Sequence, residues 1–198
     1  MSYELVVVGV SWGGLRAVSA LLDTLPDELE VPLVVAQHRA PEADGTALVS
    51  LLQRHTRLRV TEASDKDAIE RGHVYVAPPD YHLLVEPGSF SLSVDAPVQY
   101  ARPSVDVLFE SAADAYGAAS IGVLLTGATA DGAAGLAAIT RAGGLAVVQD
   151  PRTAEAPQMP EAALRATKVD AVLLLEEIGP FLADAISAHA ETAKEITS

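Results

Sequence analysis

The sequence predicts an α/β fold, a doubly wound three-layer αβα arrangement with a mostly parallel sheet and a β-hairpin-rich insertion in the middle. Short apolar blocks of strand length alternate with amphipathic stretches of helix length along most of the chain. Such blocks, apolar on both faces, are typical of parallel strands that helices cover on both sides. The middle of the chain departs from this alternation, because shorter strand-like pieces lie there between Gly and Pro turns.

The chain begins with two strand–helix pairs. Residues 5–8 are a run of Leu and Val, and the amphipathic stretch 15–25 after them ends at Pro26, since proline cannot continue a helix. Residues 33–36 repeat the apolar block, and residues 46–54 have the composition of a second helix. Both pairs predict a strand followed by a helix that returns across the sheet.

The middle contains four short pieces that we interpret as a hairpin-rich insertion on one edge or end of the sheet. They cover residues 58–62, 73–77, 82–86 and 90–94, and they are separated by Gly72, by the turn at 78–80 and by Pro87-Gly88. The last third returns to the alternation. Its predicted strands are 121–125, 145–148 and 171–175, and its predicted helices are 133–141, which Gly143-Gly144 ends, and one from about residue 178 towards the C-terminus.

Length and composition limit the classes of function. The 198 residues suit one domain, 1–198, with a full core. Cysteine is absent, which excludes disulfides, thiolate catalysis and cysteine metal sites and fits a cytoplasmic location. A net charge of −14 repels phosphates and anionic lipids, so we expect no nucleic-acid partner. No run approaches the ~20 apolar residues of a membrane span, and the N-terminus resembles a first strand rather than a signal peptide, so we expect no membrane insertion.

A serine follows the first predicted strand, in the turn Gly9-Val10-Ser11-Trp12-Gly13-Gly14. Ligands of open α/β sheets bind beyond the carboxyl ends of the strands. A glycine-rich turn there would present the Ser11 hydroxyl at a helix N-terminus, where the dipole favours developing negative charge. Two alternatives stay open: Ser11 caps the helix, or the turn binds a dinucleotide. The dinucleotide pattern is incomplete, because Ser11 replaces its second glycine and no acidic residue ends the second strand.

Two residues of matching chemistry follow other predicted strands. His38 comes directly after residues 33–36, and a serine hydroxyl needs such a base within hydrogen-bond reach. Asp131 lies in a glycine-bounded turn after residues 121–125, from which a carboxylate would fix the His38 tautomer. Each residue alone is also explained as a loop histidine or a helix cap. Together they favour a serine hydrolase, in a chain order unlike the α/β-hydrolase, chymotrypsin or subtilisin orders.

Three other aspartates compete with Asp131 for the same role. Asp80 lies in a Pro-Pro-Asp turn, and Asp150 follows the strand 145–148. Asp106 follows the cap candidate Ser104 and is interpreted as a first-turn helix residue, a common place for an acidic side chain.

Six segments, in order along the chain, resemble the catalytic domain of the chemotaxis protein-glutamate methylesterases, the CheB type. They are residues 6–14, 34–38, 72–86, 102–113, 123–136 and 146–163. The resemblance implies Ser11 as nucleophile, His38 as general base and acid, and Asp131 as the orienting carboxylate. It also implies a substrate, a glutamyl methyl ester on the helical cytoplasmic region of methyl-accepting chemoreceptors, together with deamidation of particular glutamines. It implies no metal and no organic cofactor.

The resemblance also bears on the pocket and on regulation. Backbone N–H groups near His38 and around Ala128 are the expected oxyanion donors, with Gly127 and Trp12 beside them in the pocket. The family usually has Met in place of Ala128 and a small residue or Thr in place of Trp12, so pocket shape and access should differ. The first strand begins at about Glu4, and we therefore expect no receiver domain before it and control, if any, by a separate regulatory protein.

Two other functions stay open at this stage. The chain could be a non-catalytic binding module of the same fold whose pocket has diverged. Alternatively, it could be an esterase or deamidase for another protein or for a small ester.

Overall fold

A seven-stranded parallel sheet lies at the centre of the structure, a computed structural model that describes residues 2–196 and the side chains of residues 2–189. The strands are β1 (Leu5–Val10), β2 (Leu33–Gln37), β3 (Arg59–Glu62), β4 (His73–Val76), β5 (His82–Glu86), β6 (Ser89–Ser93), β7 (Ser120–Leu124), β8 (Leu145–Gln149) and β9 (Ala171–Leu173). The order in the sheet is β3-β4-β2-β1-β7-β8-β9, and β5 and β6 form a separate antiparallel hairpin. The predicted α/β fold class is therefore confirmed.

Helices cover both faces of the sheet. They are α1 (Gly14–Thr24), α2 (Gly45–Leu52), α3 (Val105–Tyr116), α4 (Ala133–Arg141), α5 (Gln158–Ala166) and α6 (Leu175–Ile196). Strand β1 sends Val6 and Val8 into the apolar cluster with α1, α2 and α6, and it sends Leu5 and Val7 into the cluster with α3, α4 and α5. All four side chains are fully buried, which is why this strand is apolar at every position.

The middle of the chain differs in part from the prediction. The pieces at 58–62 and 73–77 belong to the main sheet, where β4 pairs in parallel with β2 and β3 extends that edge. Only β5 and β6 form a hairpin, which packs on α3. The reason is burial: Val74 and Val76 are fully covered, as in the other sheet strands, whereas a run of four residues is too short to reveal this from periodicity.

The C-terminal elements also differ from the prediction in detail. Helix α5 was not predicted, because Pro157 and Pro160 precede or occupy its first turn, a place where proline is tolerated. Strand β9 ends at Leu173, and α6 begins at Leu175, where Glu177 accepts a hydrogen bond from the N–H of Leu174 (3.0 Å). The last predicted helix therefore starts about one turn earlier than expected, and residues 197–198 lie outside the described part.

Strand β1 lies between β2 and β7, and the strand order reverses beside it. From β1 the chain adds β2, β4 and β3 on one side, and later β7, β8 and β9 on the other. A reversal of this kind leaves a crevice beyond the carboxyl ends of the strands, the usual ligand position in open α/β sheets. Ser11 follows β1 and His38 follows β2, so the two residues lie at the ends of neighbouring strands.

Helices α3 and α4 approach each other closely at two glycines. A Cβ on Gly135 would lie 2.5 Å from the Cβ of Phe109 and 2.9 Å from the carbonyl oxygen of Asp106. Gly132, just before α4, has φ 94°, and a Cβ there would lie 2.5 Å from Leu124. These glycines let the N-terminal turns of the two helices meet beside the carboxyl end of β7.

Among the helices that the structure describes, none combines the length and the apolar character needed to cross a membrane.

We expect Gly135→Ala to destabilise the protein, although Gly→Ala inside a helix ordinarily stabilises by about 0.5–1 kcal/mol. The added methyl group cannot be accommodated against Phe109 and the α3 backbone, and overpacking of this kind costs about 1–3 kcal/mol. The free energy of unfolding in urea measures the effect. Ala134→Gly on the exposed side of the same helix is the control, with an expected loss of about 0.5–1 kcal/mol. Gly135→Ala protein as stable as the wild type would contradict the described helix contact.

Candidate active site

An open cleft of about 560 Å³ lies over the carboxyl ends of β1 and β2. Among the residues that line it are Ser11, Trp12, Gly14, Gln37, His38 and Glu155. Two of the three residues predicted for catalysis therefore face the same space. The third, Asp131, is fully buried behind His38.

Ser11 occupies the sharp turn between β1 and α1. Its N–H donates to the carbonyl of Thr126 (3.0 Å), and its own carbonyl accepts from the N–H of Gly14 (2.9 Å). The N-cap of α1 is Gly13, with φ 76°, and no side chain caps this helix. The interpretation of Ser11 as a helix cap is therefore wrong, because its hydroxyl makes no capping hydrogen bond to α1.

His38 is held from two sides. Its N–H donates to the carbonyl of Val10 (3.1 Å), which continues the β1–β2 pairing by one residue. Its ring nitrogen Nε2 lies 2.6 Å from Oδ2 of Asp131, and 13% of the His38 side chain is exposed. Because Nε2–H donates to the carboxylate, Nδ1 is the ring nitrogen left to accept a proton. This is the reverse of the assignment in chymotrypsin-type proteases, in which Nδ1 binds the carboxylate.

Ser11 and His38 are not joined by a hydrogen bond in the part of the chain that the structure describes. Both line the cleft, and Ser11 lies at the end of the strand next to that of His38. Catalytic hydrogen bonds are often long or poorly aligned before substrate binds.

Asp131 does not cap its own helix, contrary to the simpler explanation of its position. The N-cap of α4 is Gly132, and the Asp131 carboxylate instead lies at the N-terminus of α3. Besides His38 it accepts three hydrogen bonds there, from Ser104 Oγ (2.8 Å), the N–H of Val105 (2.8 Å) and the N–H of Asp106 (2.9 Å). Free N–H groups at a helix N-terminus stabilise an anion by charge and by direct bonding.

The environment of Asp131 favours its ionised form. Burial alone would raise the pKa of Asp131, but the hydrogen bonds from His38 and from the N–H groups of Asp106 and Val105 outweigh it and hold that pKa below the ordinary carboxyl value. A buried anion that contacts an imidazole N–H fixes the ring orientation and stabilises its protonated form.

Asp106 lies in the first turn of α3 after the N-cap Ser104, as the sequence predicts, but its side chain does not face solvent. Its side chain is buried, and its Oδ1 accepts from the N–H groups of Gly132 (2.8 Å) and Gly135 (2.7 Å) at the start of α4. Burial raises the pKa of Asp106 to about 6, and the nearby charge of Asp131 adds to the rise. The G-x-x-G spacing at 132–135 was the available signal of a close approach, but a sequence does not say which carboxylate fills it.

The sequence also contains no indication of the role of His82, which supports the N-terminus of α3. This buried histidine accepts a hydrogen bond at Nδ1 from the N–H of Ser104 (3.2 Å), and its Nε2–H donates to the carbonyl of Ala96 (3.2 Å). The hydroxyl of Ser104 accepts from the N–H of Val107 (3.4 Å), which confirms Ser104 as the N-cap of α3.

The other competing aspartates are paired elsewhere. Asp80 binds the guanidinium of Arg102 (2.5 Å), and Asp150 pairs with Arg152 and accepts from its N–H. Hydrogen bonds from Arg152 hold the pKa of Asp150 below the ordinary value. Of the four aspartates considered, Asp131 is the one that contacts His38.

The structure narrows the set of candidate oxyanion donors. The N–H of His38 is bonded to Val10, and the N–H of Gly127 is bonded to the carbonyl of Ala156 (3.0 Å), so neither is available. Within the described residues, the N–H groups of Trp12 and Ala128 have no such partner. Gly127 serves the pocket differently, because a Cβ there would lie 3.0 Å from the Cβ of Ser11.

The cleft has an exposed aromatic rim and no metal cluster. Trp12 is 66% exposed beside Ser11, and Leu15 on the first turn of α1 is 39% exposed. Among the residues whose placement is described, no group of three or more His, Cys, Asp or Glu side chains is arranged to hold a metal ion.

Comparison with known proteins identifies the family. The family model described as CheB methylesterase matches residues 6–182, which include the whole cleft. The chain belongs to the CheB methylesterase family. A Leptospira interrogans relative, provisionally named a protein-glutamate methylesterase/protein-glutamine glutaminase, is 49% identical over 90% of this chain and 92% of its own length. An Anaeromyxobacter dehalogenans protein-glutamate methylesterase/protein-glutamine glutaminase is 44% identical over 88% of this chain, which spans 51% of that protein.

A solved structure of the same family has the same architecture. The catalytic domain of the Thermotoga maritima CheB methylesterase superimposes with a TM-score of 0.87 at 32% sequence identity. The match covers 93% of this chain and 99% of that domain. The sheet and helices described above are thus those of a CheB methylesterase catalytic domain.

We expect Ser104→Ala to cost more stability than the loss of an ordinary N-cap. An N-cap is worth about 1 kcal/mol, and a hydrogen bond to a buried charge adds about 1.5–3 kcal/mol, here the bond to Asp131. Asp44→Ala is the matched control, because Asp44 caps α2 through Thr46 and Ala47 at an exposed site. Unfolding in urea should give a clearly larger loss for Ser104→Ala, and equal losses would mean that the contact with Asp131 contributes nothing.

Proposed function

We propose that this chain is a serine esterase that hydrolyses glutamyl methyl esters on the cytoplasmic helices of chemoreceptors, with Ser11, His38 and Asp131 as its catalytic residues. The observation that carries the proposal is the 2.6 Å contact between His38 and the buried Asp131, at the edge of the cleft that Ser11 lines. Membership of the CheB methylesterase family and the names of the relatives support the ester and the receptor substrate.

The reaction begins with attack of Ser11 Oγ on the ester carbonyl carbon. As the new C–O bond forms, His38 Nδ1 takes the hydroxyl proton, and the carbonyl oxygen becomes an oxyanion. Asp131 stays ionised and stabilises the imidazolium through Nε2–H, because its own pKa lies below the ordinary value. Collapse of the tetrahedral intermediate breaks the bond to the methoxy oxygen, to which His38 returns the proton, and methanol leaves.

The second half of the reaction releases glutamate. His38 takes a proton from water, the hydroxide attacks the glutamyl-enzyme carbonyl, and the bond to Ser11 breaks with return of the proton to Oγ. A glutamine side chain attacked in the same way would lose ammonia instead of methanol, which accounts for the glutaminase activity named in the relatives. No step requires a metal ion or an organic cofactor.

The oxyanion is assigned to the N–H groups of Trp12 and Ala128. Serine hydrolases with a strand-to-helix turn use the N–H that follows the nucleophile together with an N–H from a neighbouring loop. Trp12 follows Ser11, and Ala128 follows Gly127, which packs against Ser11. Among the described residues neither N–H group has a hydrogen-bond partner, so both can bind a developing charge, and such binding is usually the largest single contribution to a reaction of this kind.

The shape of the cleft suits a protein substrate. The cleft is an open surface feature rather than an enclosed cavity, and the exposed Trp12 and Leu15 beside it offer apolar area to one face of a helix. A glutamyl methyl ester on an exposed receptor helix could reach Ser11 without any part of either protein unfolding. Such a receptor region lies in the cytoplasm, and we propose that the protein acts there.

Release of methanol from a methylated chemoreceptor fragment is the direct test. Wild-type protein should release methanol, and Ser11→Ala should reduce the rate on the order of 10⁶-fold, as loss of the nucleophile does in a serine protease. Ser19→Ala in α1, the helix that follows Ser11, is the matched control, because Ser19 does not line the cleft, and it should retain the wild-type rate.

A fluorophosphonate probe separates the remaining possibilities. Labelling of Ser11 without methanol release would overturn the receptor substrate and favour an esterase or deamidase for another substrate. Absence of both would favour a non-catalytic binding module of the same fold. Equal methanol release by wild type and Ser11→Ala would contradict Ser11 as the nucleophile.

A further inference from the structure

Asp106 contacts the side chain of Asp131 through its backbone N–H, and through its own carboxylate it contacts the peptide bond that follows Asp131. Its N–H donates to Oδ1 of Asp131 (2.9 Å), which restrains the carboxylate. Its own Oδ1 accepts from the N–H of Gly132 (2.8 Å), which belongs to the peptide bond directly after Asp131. Oδ1 also accepts from Gly135 (2.7 Å). One residue of α3 therefore restrains both the side chain and the backbone of Asp131.

The second carboxylate oxygen of Asp106 is held by a tight turn. Gln99 Nε2 donates to Oδ2 of Asp106 (3.1 Å) from the turn 98–101, whose central residues Gln99 and Tyr100 both have positive φ. Each hydrogen-bond partner that the described part of the chain gives the Asp106 side chain is thus a donor. A carboxylate surrounded only by donors is best matched when it is ionised.

We propose that Asp106 is a positioning residue for the reaction of Ser11. Its carboxylate holds the turn at 131–132 so that Asp131 meets Nε2 of His38, and its charge, close to that of Asp131, favours the imidazolium that forms during attack. This inference rests on the proposed catalytic residues but not on the identity of the ester. Asp106 acts through Asp131 and does not touch the substrate.

The charges around Asp106 define what its removal would change. The titratable group nearest to Asp106 is Asp131, and His38 lies on the far side of Asp131. The other charged or titratable groups around this turn are Glu110 on the same helix, His82, which binds Ser104, and the Arg102–Asp80 ion pair before α3. Asp131 and Asp106 lie close together, but their environments differ. Burial raises the pKa of Asp106 to about 6, whereas for Asp131 the effect of burial is outweighed by hydrogen bonds that lower its pKa below the ordinary carboxyl value.

The test is the rate at which a fluorophosphonate labels Ser11 between about pH 5 and 9, a readout that needs no methyl ester. Asp106→Ala should slow labelling by about 10²-fold, the order of loss expected for a small misplacement of catalytic groups. Asp106→Asn keeps an acceptor oxygen for Gly132 and Gly135. Its labelling rate on the pH plateau should fall only about two- to fivefold, which corresponds to the loss of one charge interaction with a helix terminus.

The fall of the labelling rate at low pH, the acid limb of the pH profile, distinguishes a positioning role from a merely structural one. In Asp106→Asn the limb should move to lower pH, because loss of the negative charge makes protonation of His38 less favourable. Asp114→Asn, which removes an exposed charge further along α3, should leave both the rate and the limb unchanged. Circular dichroism establishes that each variant is folded.

The outcomes that overturn the inference differ from those that overturn the function. Labelling of folded Asp106→Ala at the wild-type rate would overturn the positioning role. If that variant does not fold, Asp106→Asn decides, and an acid limb at the wild-type pH would overturn the inference. Absence of labelling in the wild type itself would overturn the proposed function, and the inference with it.

Discussion

The N-terminal turn of α3 holds the carboxylate of Asp131, and the geometry of the candidate site depends on that interaction. A buried carboxylate is costly unless donors replace the water it loses. Here Ser104, Val105 and Asp106 supply three donors, and His38 supplies a fourth. With both carboxylate oxygens bonded, Asp131 remains an anion inside the protein, and the orientation of the His38 ring follows from it.

Helices α3 and α4 exchange carboxylate contacts, because the aspartate associated with each helix binds the N-terminus of the other. This exchange accounts both for the placement of Asp131 and for the close packing of the two helices. Asp131 precedes α4 but binds the N-terminus of α3, while Asp106 lies in α3 but binds the N-terminus of α4. The exchange requires the backbones to approach, which only glycine permits at positions 132 and 135. The geometry of the candidate site and the packing of the two helices are therefore one constraint, in which Gly135 takes part through its hydrogen bond to Asp106.

Much of this arrangement was predictable from sequence, and the parts that were not have a physical reason. The strand ends carrying Ser11, His38 and Asp131 could be read from apolar blocks and glycine turns, because the topology of a parallel sheet brings consecutive strand ends to one edge. The role of Asp106 could not, since a first-turn aspartate looks the same whether it faces solvent or a second helix. The same limit applies to β3 and β4, because four-residue strands carry too little periodicity to distinguish a sheet edge from a hairpin.

Nitrogen-15 NMR of the His38 ring tests the central claim most directly. If Asp131 orients His38 as described, the neutral ring carries its proton on Nε2 and leaves Nδ1 as the basic nitrogen. Comparison with a His38→Gln variant assigns the signals among the five histidines of the chain. A protonated Nε2 with an unprotonated Nδ1 at alkaline pH is the predicted result. A neutral ring protonated on Nδ1 would contradict the account, because Asp131 would then not accept a hydrogen bond from His38 Nε2.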